Sequence, residues 1–192
     1  MAARNHLARH AVAYSVAPGV QGGLGHHAAE VMDACASAWS AVAAFGPTPA
    51  SGTAPGVTVT SPPPFNPGWR NRWTWRRYLQ GSAQLESDRA FGSWLSRQVG
   101  PEFEGCYLFT QIALELLGEL RRRGTPHVLD NPNGHIRDFR DAVQSEADKW
   151  LPTRYPGHPT EAMVDRVEEE YARADRIRVG SSWESICIDD VR

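Results

Sequence analysis

A carboxylate and an imidazole bracket the run Asp130-Asn131-Pro132-Asn133-Gly134-His135. The segment before it, His127 to Leu129, reads as a short strand. Asp130 and His135 therefore flank a turn at the C-terminal end of a strand, where open α/β sheets receive their ligands. A histidine there can orient or polarise a reacting group, or move a proton. It can equally cap the next helix, and the residues leave both readings open. A second group is Gly22-Gly23-Leu24-Gly25. Glycines between a strand and a helix let a ligand approach the backbone, and the unpaired amides at a helix start attract an anion. His26 and His27 follow at once. Partly exposed helix histidines are the plainer reading of that pair; His26 is kept, with Asp130, as a crevice-lining candidate. Ser181 and Ser182, after the segment Arg176 to Val179, either line the same crevice or cap a helix.

Other chemistries lack their residues. The glycine group is not the GxGxxG dinucleotide fingerprint, and the second strand ends in Phe45-Gly46-Pro47 rather than in an acid. No Gly-Lys-Ser/Thr follows it, so it is not a phosphate loop of the Walker type. Cys35, Cys106 and Cys187 are scattered and form no CxxC pair, and no HExxH occurs. Neither a metal site nor a disulfide framework is expected. A net charge of -2 gives no general pull toward nucleic acid. Trp69 to Leu79 interleaves tryptophan and arginine, as single-strand binders do, but a surface helix packed on the sheet explains it as well. No apolar run is long enough to span a bilayer. Cysteine usage, with Ala11 to Ala17 read as a strand and not a signal peptide, leads us to expect a reducing, cytoplasmic setting.

The elements that must position these groups alternate along the chain. His10 to Ala17 reads as a strand, and Ala28, Val31, Met32 and Cys35 recur at helical spacing behind it. Strands are expected at 39–45, 106–109, 127–129 and 176–179, with a short one at 57–60. Helices are expected at 87–99, 112–123, 136–150 and 160–174, the third of these opening just after His135. Glu168-Glu169-Glu170 reads as a solvated helix face. Strand–helix alternation implies one Rossmann-like α/β domain, a mostly parallel sheet with helices on both faces. The 192 residues suffice for one such domain, not for two of roughly 150 each.

Taken in order, these segments resemble the N-terminal domain of family 4 (group 1) retaining glycosyltransferases of the GT-B fold. The glycine group is similar to that family's donor-phosphate-facing loop. Val128 to His135 is similar to its strand–Asp–turn–His segment. Val167 to Trp183 is similar to its E-x-x-x-A-D signature, which ends in a serine and an aromatic. The resemblance implies a domain over 1–183, an atypical tail over 184–192, and a C-terminal Rossmann domain missing after it. It also implies transfer of a sugar from a nucleotide-diphosphate sugar, a substrate rather than a cofactor, to a hydroxyl of a glycan, lipid or small molecule. His135 would then be the catalytic residue at the sugar, and activity would need the second domain. A non-catalytic remnant of the same fold is the first alternative. An unrelated nucleotide- or nucleic-acid-binding α/β protein is the second.

Overall fold

The computed structural model describes residues 9–15, 23–47, 57–62, 82–150 and 159–180. Gly22, Ser181, Ser182, the Trp69–Leu79 segment and the 184–192 tail lie outside the described residues. Six strands form one parallel sheet: β1 (Arg9–Ala13), β2 (Ala41–Phe45), β3 (Thr58–Thr60), β4 (Phe103–Phe109), β5 (His127–Asn131) and β6 (Arg176–Val179). Among the described residues five helices accompany them: α1 (Gly23–Ala38), α2 (Ser82–Gln98), α3 (Leu114–Arg123), α4 (Ile136–Trp150) and α5 (Glu161–Arg173).

The strand order is β3-β2-β1-β4-β5-β6. The chain leaves β1 in one direction to build β2 and β3, then returns to build β4, β5 and β6 on the other side. Right-handed crossovers in opposite directions put their helices on opposite faces. Helix α1 thus covers one face, while α2, α3 and α5, which pack on one another in sequence, cover the other. The switch point falls between β1 and β4, and open α/β sheets receive their ligands at the strands' C-terminal ends beside such a point.

The central strands are buried on both sides, which explains their near-continuous apolar text. Ala11, Val12, Ala13 and Tyr14 are wholly buried, as are Leu108 and Leu129. Leu116, Leu117 and Leu120 of α3 are buried completely, each worth about 1.5–3 kcal/mol of transfer free energy. Gly46 ends β2 because a Cβ there would meet the Tyr14 ring at 2.1 Å. Gly124 closes α3 in the left-handed conformation, φ 68°, as its place after three arginines suggests.

Three details differ from the sequence reading. Gly23, Leu24 and Gly25 are not a loop but the first turn of α1. Asp130 lies within β5, which runs two residues beyond Leu129. The three-glutamate run is not one solvated face. Glu169 pairs with Arg173 at the surface and Glu168 with Arg137, but Glu170 is wholly buried. Helix α3 starts at Ala113 without a side-chain cap of its own. The Glu170 carboxylate supplies the cap instead, accepting from the backbone N–H of Gln111 (2.7 Å), Ala113 (3.0 Å) and Leu114 (3.1 Å). Glu170 falls on the buried stripe of α5, three residues after Val167 and seven after Met163, and an acid can occupy that place only because unpaired amides await it.

Candidate functional site: a buried carboxylate at the switch point

The sheet register assembles the site. Phe109 of β4 stands beside Asp130 of β5, and Asp130 stands beside Arg178 of β6. Residues side by side in a parallel sheet share a face, and residues two apart on one strand share it too. Tyr107, Phe109, Asp130 and Arg178 therefore all rise on one face. It is the face that α1 covers, because His27 of α1 rests its ring against Phe109, centroids 5.6 Å apart.

Asp130 is the centre of the cluster and is wholly buried. Its Oδ2 lies 2.7 Å from His27 Nε2 and accepts the Tyr107 hydroxyl at 2.8 Å. Arg178 Nη1 donates to both carboxylate oxygens at 3.2 Å and lies 3.0 Å from His27 Nε2. A buried carboxylate is retained only where donors compensate it, and here three side chains from three elements do so. Burial, and then the Asp130 charge, push the Tyr107 hydroxyl well above its ordinary range, so it stays a proton donor at neutral pH. Cys35 is pushed up to about 11, by burial first and by Asp130 second. Cys106 is pushed up to about 12 by burial. Both are thiols at neutral pH, and neither is a nucleophile.

The proton on the imidazole is set by this geometry. An ionised carboxylate can only accept, so His27 donates to it through Nε2–H. Arg178 Nη1 and His27 Nε2 are then two donors converging on one carboxylate, not a donor and its acceptor. His27 Nδ1, which has no partner among the described residues, keeps its lone pair. The His27 side chain is 18% exposed. This is an imidazole oriented by a buried acid with one basic nitrogen left for a ligand.

The other sequence candidates fall in different places. His26 is exposed on α1, a turn of about 100° away from His27. Gly23 and Leu24 are exposed, and Gly25 is buried, at the helix end that His27 also occupies. His135 is 5% exposed and caps α4: its Nδ1 accepts the Arg137 backbone N–H at 3.3 Å. Its Nε2 is 3.9 Å from Glu168 and its ring packs on Tyr171. The structure thus joins Asp130 to His27, not to His135, among the described contacts. Tyr107 and Arg178 carried no signal that sequence reasoning used. The alternation Arg176-Ile177-Arg178-Val179 does put Arg178 on one face, but only the register shows beside what. Among the described residues no three His, Cys, Asp or Glu side chains lie close enough to hold a metal ion, and no helix is long and apolar enough to cross a membrane.

No protein-family model matches the sequence, and no match is found among curated proteins. Solved structures do match in fold. LpCGTa in complex with UDP superposes with a TM-score of 0.54 at 16% identity, over 96% of this chain and 48% of its own. Phytolacca americana UGT2, complexed with UDP-2fluoro-glucose and pterostilbene, superposes with a TM-score of 0.50 at 15% identity, over 91% of this chain and 48% of its own. The chain spans about half the length of the structures it matches. Its fold is that of one half of a GT-B glycosyltransferase: a single α/β domain with six parallel strands. Those neighbours are UDP-glycosyltransferases.

Proposed function

We propose that this domain is the acceptor-side half of a sugar transferase that uses a nucleotide-diphosphate sugar, and that His27 is its base. The observation that carries the reading is the 2.7 Å contact between His27 Nε2 and the wholly buried Asp130, at the switch point of a glycosyltransferase fold. Transfer to a hydroxyl needs that hydroxyl's proton removed as the sugar–phosphate bond breaks. His27 Nδ1 takes the proton. Asp130 holds the ring in the required tautomer and stabilises the imidazolium that forms, without accepting the proton itself. Tyr107 and Arg178 hold Asp130 in place. The first-turn amides of α1 at Gly23, Leu24 and Gly25 face the leaving diphosphate, where a helix N-terminus favours negative charge.

Base chemistry at His27 leaves His135 with its helix cap. The donor, the acceptor class (glycan, lipid or small molecule), a second Rossmann domain and a cytoplasmic setting belong to the same proposal. The test is transfer from UDP-glucose to a phenolic hydroxyl, assayed on the chain joined to or mixed with a donor-binding Rossmann domain. His27→Ala is expected to lower turnover by about 10²–10⁴, the usual worth of a positioned base. His135→Ala should leave at least a third of the parental rate. Parental turnover by His27→Ala, or no transfer in any such combination, overturns the reading.

A further inference from the structure

Three arginine–carboxylate contacts in this domain invite comparison. Arg137 meets Glu168 through two nitrogens, Nε and Nη2, each at 2.8 Å. Arg166 meets Glu115 through Nη1 and Nη2 at 2.7 and 2.6 Å. Both use the planar fork that suits a guanidinium to a carboxylate. Arg178 does not. It touches Asp130 through Nη1 alone, at 3.2 Å to each oxygen. Neither its Nε nor its Nη2 reaches Asp130, its guanidinium also meets the Tyr107 hydroxyl, and the side chain is 47% exposed while Asp130 is wholly buried. The cause is positional. Arg178 stands beside Asp130 on the adjacent strand, and His27 and Tyr107 already occupy Oδ2. One nitrogen is spent on the buried acid, and the other edge of the fork stays open at the rim of the crevice.

We infer that Arg178 is the anchor of an oxyanion subsite: its open Nε/Nη2 edge takes a carboxylate or phosphate on the ligand that presents its hydroxyl to His27. The inference rests on the proposed role of the Asp130 corner as a ligand crevice. Such an edge binds two oxygens of one anion side by side, so it selects acid-bearing ligands over neutral ones of equal size. The anion comes either from the acceptor or from the donor diphosphate. Nη1 on Asp130 fixes the guanidinium plane in advance, so little rotamer freedom is lost on binding.

The experiment is calorimetric titration of the chain with 4-hydroxybenzoate, with its neutral analogue 4-hydroxybenzamide, and with inorganic pyrophosphate. At least one anion should bind ten times more tightly than the amide. Preference for 4-hydroxybenzoate places the anion on the acceptor, and preference for pyrophosphate places it on the donor. Arg178→Gln should erase the preference, bringing the ratio of anion to 4-hydroxybenzamide affinity to within twofold of one. Because Arg178→Gln also withdraws a cation from buried Asp130, Arg178→Lys serves as the second variant. It keeps the charge but loses the fork, and should retain less than a third of the preference. Equal affinity of the parent chain for all three probes overturns the inference, as does full preference in Arg178→Gln or in Arg178→Lys. These outcomes are independent of turnover, so a missing oxyanion subsite leaves His27 as the base, and an inactive His27 leaves the subsite standing.

Discussion

Asp130 and Glu170 are both wholly buried carboxylates near the C-terminal end of β4, and they are held in opposite ways. Glu170 accepts from the backbone amides of Gln111, Ala113 and Leu114, with Arg166 Nε at 3.8 Å. Asp130 accepts from side chains: an imidazole, a phenol and a guanidinium. Backbone donors cannot give up their protons or turn away, so the Glu170 corner fastens α5 to the start of α3 and does nothing else. Side-chain donors titrate and move, and two of those at Asp130 reach the surface. The same burial thus makes a rivet in one place and orients an imidazole in the other. The two are linked by one hydrogen bond, from the Thr110 N–H to the Asp130 carbonyl at 3.0 Å, one residue before the first amide that Glu170 caps.

The largest effect is expected where the rivet is removed. Glu170→Leu leaves three amides without their acceptor and Arg166 without part of its compensation. At about 1–3 kcal/mol for each buried donor left unpaired, the loss is about 3–5 kcal/mol. Urea unfolding should show the midpoint fall with little change in slope. A loss under 1 kcal/mol would place the Glu170 contacts among ordinary surface pairs and end the comparison.

The next effect concerns pH. Asp88 belongs to the same corner, receiving Gln84 Nε2 at 2.8 Å on one oxygen while the other is buried without a hydrogen bond. Burial raises its pKa from 3.8 to about 7, with Gln84 and Arg166 pulling it down and Glu115 pushing it up. Burial likewise lifts Glu170 to about 7, against the pull of the Gln111 amide, Arg166 and the other two amides. Both folded-state values exceed the unfolded ones, so the folded chain holds more protons between pH 4 and 7. The contribution of these two groups is then full below pH 4, falls as pH rises through that window, and levels off above pH 7. Asp88→Asn removes its own share of the slope and should stabilise the chain at pH 8 by about 2–4 kcal/mol relative to its effect at pH 4. An Asp88→Asn effect equal at pH 4 and pH 8 contradicts this.

The contrast also shows which features could be read before the fold was seen. Strand–helix alternation was legible because each element carries its own period: α4 begins at Ile136 and β6 spans Arg176–Val179, as their residues suggest. That the glycine group and Asp130 stand at the ends of strands was legible in outline, since each follows an apolar segment. The chemistry there was not. His26 and His27 are neighbours in sequence, and the angle that turns one outward and the other onto Phe109 depends on how α1 sits on the sheet. Tyr107 and Arg178 meet Asp130 through strand register, a relation between segments 23 and 48 residues apart. Glu170 was hidden for the same reason: its partners are amides 56–59 residues upstream, and a run of three acids reads as solvated until something buried is found to receive one.

At the other corner, isosteric changes separate function from fold. Asp130→Asn keeps the shape and one acceptor oxygen, which His27 and Tyr107 can still share. Its amide turns donors toward Arg178 and removes the charge that would stabilise an imidazolium. Stability should fall by about 1–3 kcal/mol, less than for Glu170→Leu, while transfer falls by a larger factor than that loss of folded protein explains. A drop in transfer no greater than the drop in folded fraction would make Asp130 a second rivet, erasing the distinction between the corners.

Tyr107→Phe should give the smallest change and the sharpest one. The hydroxyl is one of three donors on Asp130 Oδ2, and its removal costs one neutral-to-charged hydrogen bond, about 1.5–3 kcal/mol in isolation. The His27 and Arg178 donors remain to hold the carboxylate, so the net loss should be nearer 1 kcal/mol. The phenol and the imidazole compete for the same oxygen, and the phenol cannot lose its proton near neutrality. Without it, Oδ2 is shared by His27 and Arg178 alone, and the imidazolium formed during transfer gains a stronger partner. Turnover in Tyr107→Phe should therefore hold or rise within a factor of about three while thermal stability falls. That divergence of rate from stability is possible only at a carboxylate whose donors serve separate ends. If turnover falls in step with stability, Tyr107 is as fixed a part of its corner as the amides at Glu170 are of theirs.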